Sequence, residues 1–346
     1  GFPIMLKASA GGGGKGMRLV EQESEFQGAL DAARREAAGA FGNDAVYVEK
    51  FITEPHHVEI QVLADVHGNV VYVGERECSV QRRHQKVIEE CPSPFITDET
   101  RQAMGAVAVA AAQSCSYVGA GTVEFLVGSD QAFYFLEMNT RLQVEHPVTE
   151  MVYGVDLVAE QLRIACGEAL SFTQTDLVPR GHALECRIYA EDPDTFLPSP
   201  GSIKALSWPA GPGVRVDAGI DAHSTVPMAY DPMIAKVCTW APNRGAAIKR
   251  MGRALDETAI LGITTNIPLH HRVLAHPAFA EGRYDTGILN SPLPSNGNQT
   301  DTLDASMVAA AIARYEEDVR RSHGSGAQPG GMTHWLAQGR ARSLRN

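Results

Sequence analysis

A sequence of 346 residues has room for two or three domains, and 44% hydrophobic with 21% charged residues is a globular composition. Its 41 acidic against 30 basic residues leave a net charge of −11, which argues against a general nucleic-acid surface, and no apolar run approaches the roughly 20 residues of a membrane helix. No signal peptide is recognisable, which points to the cytosol or a matrix-like compartment, and six cysteines without C-x-x-C spacing (Cys78, Cys91, Cys115, Cys166, Cys186, Cys238) read as reduced core fillers.

The chain opens directly on a strand over 1–7 without an initiator Met, so it is expected to be part of a longer protein. Lys7-Ala-Ser-Ala-Gly-Gly-Gly-Gly-Lys-Gly-Met-Arg18 follows, and ordering Gly11, Gly12, Gly13 and Gly14 is costly unless the backbone approaches something closely. Successive N–H groups freed of side chains can cradle phosphate oxygens, with Lys7 adding charge, although the pattern lacks the Walker spacing. A capping box at Ser24 and Gln27 predicts an Ala-rich helix to about Phe41, and 45–52 reads as a strand able to offer backbone groups of Glu49 to Phe51 to a flat ring. Strands over 57–63 and 70–75 flank a His67-Gly68-Asn69 turn. The basic patch of 78–88, with Arg82, Arg83, His84 and Lys86, reads either as an anion site or, given Glu89 and Glu90, as a solvated charge run.

After a helix over 97–116, two β-rich runs, 121–127 and 133–138, form a hairpin. A four-residue loop at 129–132 sets Gly128 against Phe133 and Glu124 against Glu137, with Cβ atoms about 5 Å apart. Two carboxylates that close repel; a hard divalent cation, a shared proton or another register would relieve them. Asn139 lies two residues further along the same face. Read as one extended strand, 137–146 places Glu137, Asn139, Arg141, Gln143 and Glu145 on one face, a mixture of metal ligands and anion clamps unlike an ordinary solvent-facing strand. This predicts a metal–phosphate site.

A helix over 156–166 ends at Gly167, and on a strand over 181–190 Glu185 and Arg187 share a face, where Arg187 reads as an anion clamp or, by default, as half of a surface ion pair with Glu185. Gly/Pro turns, a strand over 233–240 and helices over 244–257 and 267–275, gathered to one side of antiparallel strands, predict an α+β fold. A linker from 291 and a helix over 304–321 complete the chain.

The Gly-rich motif, Ser79-Val-Gln-Arg-Arg-His-Gln-Lys86 and Glu137-Met-Asn-Thr-Arg-Leu-Gln-Val-Glu-His-Pro-Val-Thr-Glu150 together resemble the biotin carboxylases, ATP-grasp enzymes, over about 1–290. The segment after about 295 resembles the linking region of acyl-CoA carboxylase α subunits. The resemblance implies an ATP-grasp lid subdomain over 1–52, a catalytic and C-terminal domain over 53–290, and a linker with the start of a further domain over 291–346. It implies ATP held by Lys7, the glycine flap, Glu49, Lys50, Phe51, Ile52, His57, Gln81, His84, Lys86 and Leu126. Mg²⁺ or Mn²⁺ would sit on Glu124, Glu137 and Asn139, and bicarbonate on Arg141, Gln143 and the Val144 N–H. Glu145 would be the base, with Lys86 and Arg187 serving the phosphoryl group and biotin. The family's N-terminal dinucleotide-binding-like domain and its biotinyl domain are absent from the sequence, so the chain alone is expected to be inactive. Expected partners are a biotinyl carrier domain and a carboxyltransferase subunit. Arg215 matches an interface arginine of the family's dimers, whereas Pro212 stands where an aromatic is usual. Another ATP-grasp ligase, or a docking module, is the alternative.

Overall fold

The structure is a computed structural model that describes residues 1–10, 15–82 and 85–295, and its helices and strands all belong to the unit Gly1–Pro294. Expectations for Gly11 to Gly14, for Arg83 and His84, and for the helix over 304–321 lie outside the described residues. A small antiparallel sheet of order β2-β1-β3 is built from β1 (Ile4–Ala8), β2 (Arg18–Val20) and β3 (Val46–Lys50). Helix α1 (Phe26–Phe41) closes it through Leu6, Val20 and Ala33 and stops at Gly42, whose φ of 68° suits a residue without Cβ. Ser24 lies inside a 3-10 turn, Glu23–Glu25, and the expected capping box does not form: Glu25 is the N-cap and makes no side-chain bond there.

The chain then runs through β4 (His56–Ala64), β5 (Val70–Arg82), β6 (Gln85–Cys91), α2 (Asp98–Ser114), β7 (Gly119–Val127) and β8 (Phe133–Asn139). Helices α3 (His146–Tyr153) and α4 (Leu157–Ala165) precede β9 (His182–Tyr189), β10 (Gly201–Ser202), β11 (Ala205–Ser207), β12 (Val214–Ala218), β13 (Thr225–Val226) and β14 (Met233–Ala241). Last come α5 (Arg244–Glu257), β15 (Ala259–Leu261), α6 (Ile267–Leu274) and α7 (Pro277–Ala280). Eight strands pair antiparallel in the order β12-β14-β9-β6-β5-β4-β7-β8, giving the α+β fold that the sequence predicts. Thr97 and Asp156 cap α2 and α4 through their side chains, as Ser/Thr/Asp residues do at helix starts.

Helices cover both faces of this sheet, not one. Val58, Ile60 and Val62 of β4 lie under α2, whereas Leu63 lies with Leu157 and Ile164 of α4. On β9, Leu184, Cys186 and Ile188 pack with Met251 and Leu255 of α5, whereas Ala183 meets Val148 and Val152 of α3. The cause is that both sets of alternate residues are apolar at these points, so the strands bury two faces. The cysteine expectation holds for Cys78, Cys91, Cys186 and Cys238; Cys115 and Cys166, at the ends of α2 and α4, are exposed.

On the α3/α4 face, polarity is graded along each strand. Leu63, Gln61, Glu59 and His57 lie in that order along β4, opposite Ala120, Thr122, Glu124 and Leu126 of β7. On β9 the same face reads Ala183, Glu185, Arg187 and Tyr189. One end is dry beneath helices; the other opens into a cleft.

Candidate active site

The cleft is an open cavity of about 890 Å³ between the small sheet and the polar end of the large one. β1 and β3 contribute Lys7 and Glu49, which form an ion pair, and the chain beyond adds Lys50, Phe51 and Ile52. Opposite them lie His57 on β4, Gln81 on β5, Lys86 on β6 and Leu126 on β7.

Glu124 pairs across the ladder with Glu137, and Thr122 with Asn139, as the hairpin argument requires. The route to that register differs from the expected one. The tip is a five-residue loop, residues 128–132, closed by Val127 against Phe133, and the register slips back between Phe135 and Glu137. Leu136 is the extra residue of this bulge, and Leu136 and Glu137 both face the cavity.

The run that reads as one extended strand is extended only to Asn139. Residues 140–145 turn, and Glu145 becomes the N-cap of α3, with Pro147 in the first turn. The polar side chains nevertheless converge. Arg141 Nη1 donates to Gln143 Oε1 at 2.7 Å and Nη2 to Asn139 Oδ1 at 3.2 Å, and Gln143 Nε2 donates to Glu124 Oε1 at 3.0 Å.

At the floor, Glu145 is fully buried and doubly paired. Lys86 Nζ lies 2.6 Å from its Oε1 and Arg187 Nη2 3.0 Å from its Oε2. Lys86 also reaches Glu59 at 2.6 Å and Glu124 at 3.1 Å. Burial alone would raise the Glu145 pKa; the charges of Lys86, Arg187 and Arg76 outweigh it and hold the carboxyl well below the usual range. Burial likewise pushes Glu124 up, but its bond to His57 (3.0 Å) and the charge of Lys86 bring it down to about 2.

Two readings of the sequence change. Arg187 is partly buried and paired with Glu89 and Glu145, not with Glu185 at the surface; Glu185 is itself fully buried and accepts from Cys238 Sγ at 3.2 Å. Glu89 and Glu90 are fully buried and the Lys86 and Arg82 side chains are largely covered, so the described residues of this stretch do not form a solvated charge run. Arg82, within it, pairs with Glu191 at 3.0 Å and lies over the Phe196 ring.

The first half of the chain, residues 1–173, matches the family model for the ATP-binding domain of the carbamoyl-phosphate synthase L chain, and residues 185–291 match that for the biotin carboxylase C-terminal domain. The biotin carboxylase of Nostoc sp. is 54% identical over 290 residues, 84% of this chain and 65% of that protein. This chain belongs to the biotin carboxylase family.

The propionyl-CoA carboxylase alpha chain of Ruegeria pomeroyi is 49% identical, over 94% of this chain and 52% of its own length. Among solved structures, a biotin carboxylase complex with β-γ-ATP from Campylobacter jejuni superposes with a TM-score of 0.80 at 48% identity, covering 84% of this chain and 65% of that one. A biotin carboxylase domain dimer of the Hydrogenobacter thermophilus 2-oxoglutarate carboxylase, in complex with MgADP, ADP and bicarbonate, does so at 0.79 and 45%, covering 84% and 64%. The fold is thus the ATP-grasp fold of biotin carboxylases, and the chain spans 65% or less of the relatives named here.

The Hydrogenobacter structure holds MgADP, and the residues present here fit a divalent cation. Glu124, Glu137 and Asn139 are hard oxygen donors on adjoining strands, the set that Mg²⁺ or Mn²⁺ takes with phosphates and water. Among the described residues Glu137 is met only by Asn139 Nδ2, at 3.4 Å, so its carboxylate is available.

The sequence reading missed a buried layer beneath these side chains. Arg76 is fully buried and donates to Glu59 (2.5 Å), Gln61 (2.8 Å), Thr149 (3.0 Å) and Thr122 (3.2 Å). Lys236 donates to the Val144 carbonyl and pairs with Asp217 at 3.5 Å, which pins the turn before α3. The signal was available in the polar residues 57, 59 and 61, whose face needed a partner strand of matching polarity.

Proposed function

We propose that this chain carries the ATP- and bicarbonate-dependent carboxylation of biotin through carboxyphosphate. The observation that carries this reading is the convergence of Lys86 and Arg187 on the buried Glu145 carboxylate, in one cavity with Glu124, Glu137 and Asn139. On this reading ATP is assigned to Lys7, Glu49 to Ile52, His57, Gln81 and Leu126, with the Gly11 to Gly14 motif and His84 as its further expected ligands. Arg141, a planar fork already steadied by Gln143 and Asn139, takes planar bicarbonate with Gln143 and the Val144 N–H. A divalent cation on Glu124, Glu137 and Asn139 would supply charge neutralisation at the phosphates.

A carboxylate clamped between two cations is a poor base. When an anion draws Lys86 and Arg187 onto itself, Glu145 keeps its burial and loses its counter-ions, so its affinity for a proton rises. Substrate binding thereby switches the base on. Bicarbonate, its proton passed to Glu145, attacks the γ-phosphorus and expels ADP to give carboxyphosphate, which breaks into CO₂ and phosphate beside the biotin ureido nitrogen that takes up the CO₂. Lys86 and Arg187 stabilise the charge that develops and orient biotin, so catalysis rests on positioning and electrostatics.

The same reading takes 1–52 as the lid, 53–290 as the catalytic and C-terminal part and 291–346 as a linker. A biotinyl carrier domain and a carboxyltransferase are the partners, with homodimerisation as a further association, in the cytoplasm. Among the described residues no helix is long and apolar enough to cross a membrane. In the full-length protein, Glu145→Gln is expected to abolish bicarbonate-dependent ATP cleavage while nucleotide still binds; undiminished cleavage would overturn the assignment.

A further inference from the structure

Behind Arg187 lies a second carboxyl pair for which the proposed reaction has no use. Glu89 of β6 and Glu185 of β9 are direct cross-strand partners, and both side chains are fully buried. Partners of this kind hold their Cβ atoms about 5 Å apart. Each carboxyl has one oxygen engaged and one without a hydrogen bond among the described residues. Glu89 Oε1 accepts from Arg187 Nε at 2.5 Å and Glu185 Oε2 from Cys238 Sγ, whereas Glu89 Oε2 and Glu185 Oε1 are buried and unpartnered.

We propose that Glu89 and Glu185 hold one proton between them and, in that state, seat Arg187 against Glu145; this rests on the role given to Glu145 in the proposed reaction. Two buried carboxylates at paired positions cannot both ionise without a large penalty. One proton answers both orphan oxygens, because a protonated Glu185 Oε1 is a donor and Glu89 Oε2 an acceptor. The neighbours decide where the proton rests: Glu89 faces a guanidinium and stays anionic, whereas Glu185 faces a thiol and takes the proton.

The other charged groups packed around the pair are already engaged. Lys86 of β6 is held by Glu59, Glu124 and Glu145, and Arg76 of β5 by Glu59. Lys236 of β14 is held by Val144 O and Asp217, and Arg215 of β12 by Glu150 and Asp217. His146 of α3 meets the Gln143 carbonyl, and the Cys78 thiol of β5 leans on Glu145. Burial pushes Glu185 above the ordinary carboxylate range and the charge of Glu89 adds to the rise; for Glu89 burial acts against the pull of Arg187, and Glu145 adds to it.

Arg187 is then held by one anion from behind, through Nε, and presents Nη2 to Glu145 at 3.0 Å. Loss of the shared proton places a second anion behind the guanidinium and draws it off the base. Glu89 is therefore a positioning residue, and Glu185 a neutral spacer whose ionisation undoes the positioning.

The test uses the full-length protein and two independent readouts. Infrared difference spectra between H₂O and D₂O at neutral pH are expected to show a buried carboxylic-acid C=O band that disappears in Glu185→Gln. In steady-state kinetics the ratio of Glu185→Gln to wild-type kcat is expected to rise with pH, because the variant has no proton to lose there. Glu89→Gln is expected to lower kcat on the order of 10-fold with nucleotide affinity kept, and Glu89→Asp to recover part of the loss, the scale of effect for a group that orients another. Absence of the acid band in the wild type, or a kcat ratio flat with pH, overturns the proposal. If Glu89→Gln does not fold, the infrared and Glu185→Gln results decide alone. An acid band beside an active Glu145→Gln would instead fault the choice of base and leave the pair standing.

Discussion

Lys86 Nζ joins Glu145 Oε1, 2.6 Å away, to Glu124 Oε1, 3.1 Å away, so one ammonium spans the proposed base and a proposed metal ligand. A third contact, to Glu59 at 2.6 Å, makes it the shared counter-ion of three carboxylates that are buried or nearly so. Replacing Lys86 with Met leaves these charges facing one another. Bicarbonate-dependent ATP cleavage by the full-length protein is expected to fall by on the order of 10²–10³. Thermal unfolding should move to lower temperature, with part of the loss restored by a divalent cation; an unchanged rate would remove Lys86 from the machinery.

Arg76 and Glu59 form a fully buried pair beneath the site. Arg76→Met strands the Glu59 carboxylate, and denaturant titration should register a loss of about 3–5 kcal/mol. Adding Glu59→Gln to it is expected to recover much of that, because the cost lies in the unpaired charge. A double variant no more stable than Arg76→Met would place the cost in lost packing.

Arg141 reads as an anion clamp because its two Nη groups are set by Gln143 and Asn139. A lysine keeps the charge and loses the fork. Arg141→Lys should therefore raise the KM for bicarbonate by about 10-fold or more, the scale of a charge-assisted hydrogen bond, with nucleotide affinity held. Equal changes for both ligands would contradict a bicarbonate-specific role.

His270 of α6 is fully buried against the Arg187 carbonyl, at 2.8 Å, and burial lowers its pKa from 6.5 to about 4. Between those values the unfolded chain binds a proton that the folded chain does not. Stability therefore falls as pH drops from about 6.5 to about 4, by up to about 3 kcal/mol. His270→Gln should flatten this part of the pH–stability curve, which denaturant midpoints across the range will measure; an unaltered slope would assign the acid sensitivity elsewhere.

The sequence announced residues 137–145 because their types are improbable together on an ordinary strand, and that survives even though the chain turns after Asn139. Residue type carried the message; strand period did not. The helix starts at 97 and 156 were legible for a local reason, the Thr97 and Asp156 side chains each capping its own helix. Arg76 and Glu89 were not, since the charge runs Glu75-Arg76-Glu77 and Glu89-Glu90 read as solvent-facing until the sheet order is known. Only the placing of β4 between β5 and β7, and of β6 beside β9, encloses them. Arg187 shows the same limit: Glu185 is its neighbour in sequence, but its partners Glu89 and Glu145 are far along the chain.

The bulge at Leu136 separates the length of the hairpin tip from the placement of Glu137. Residues gained or lost around 128–132 can be taken up where the ladder already slips, much as an expansion joint spares the bridge deck beyond it.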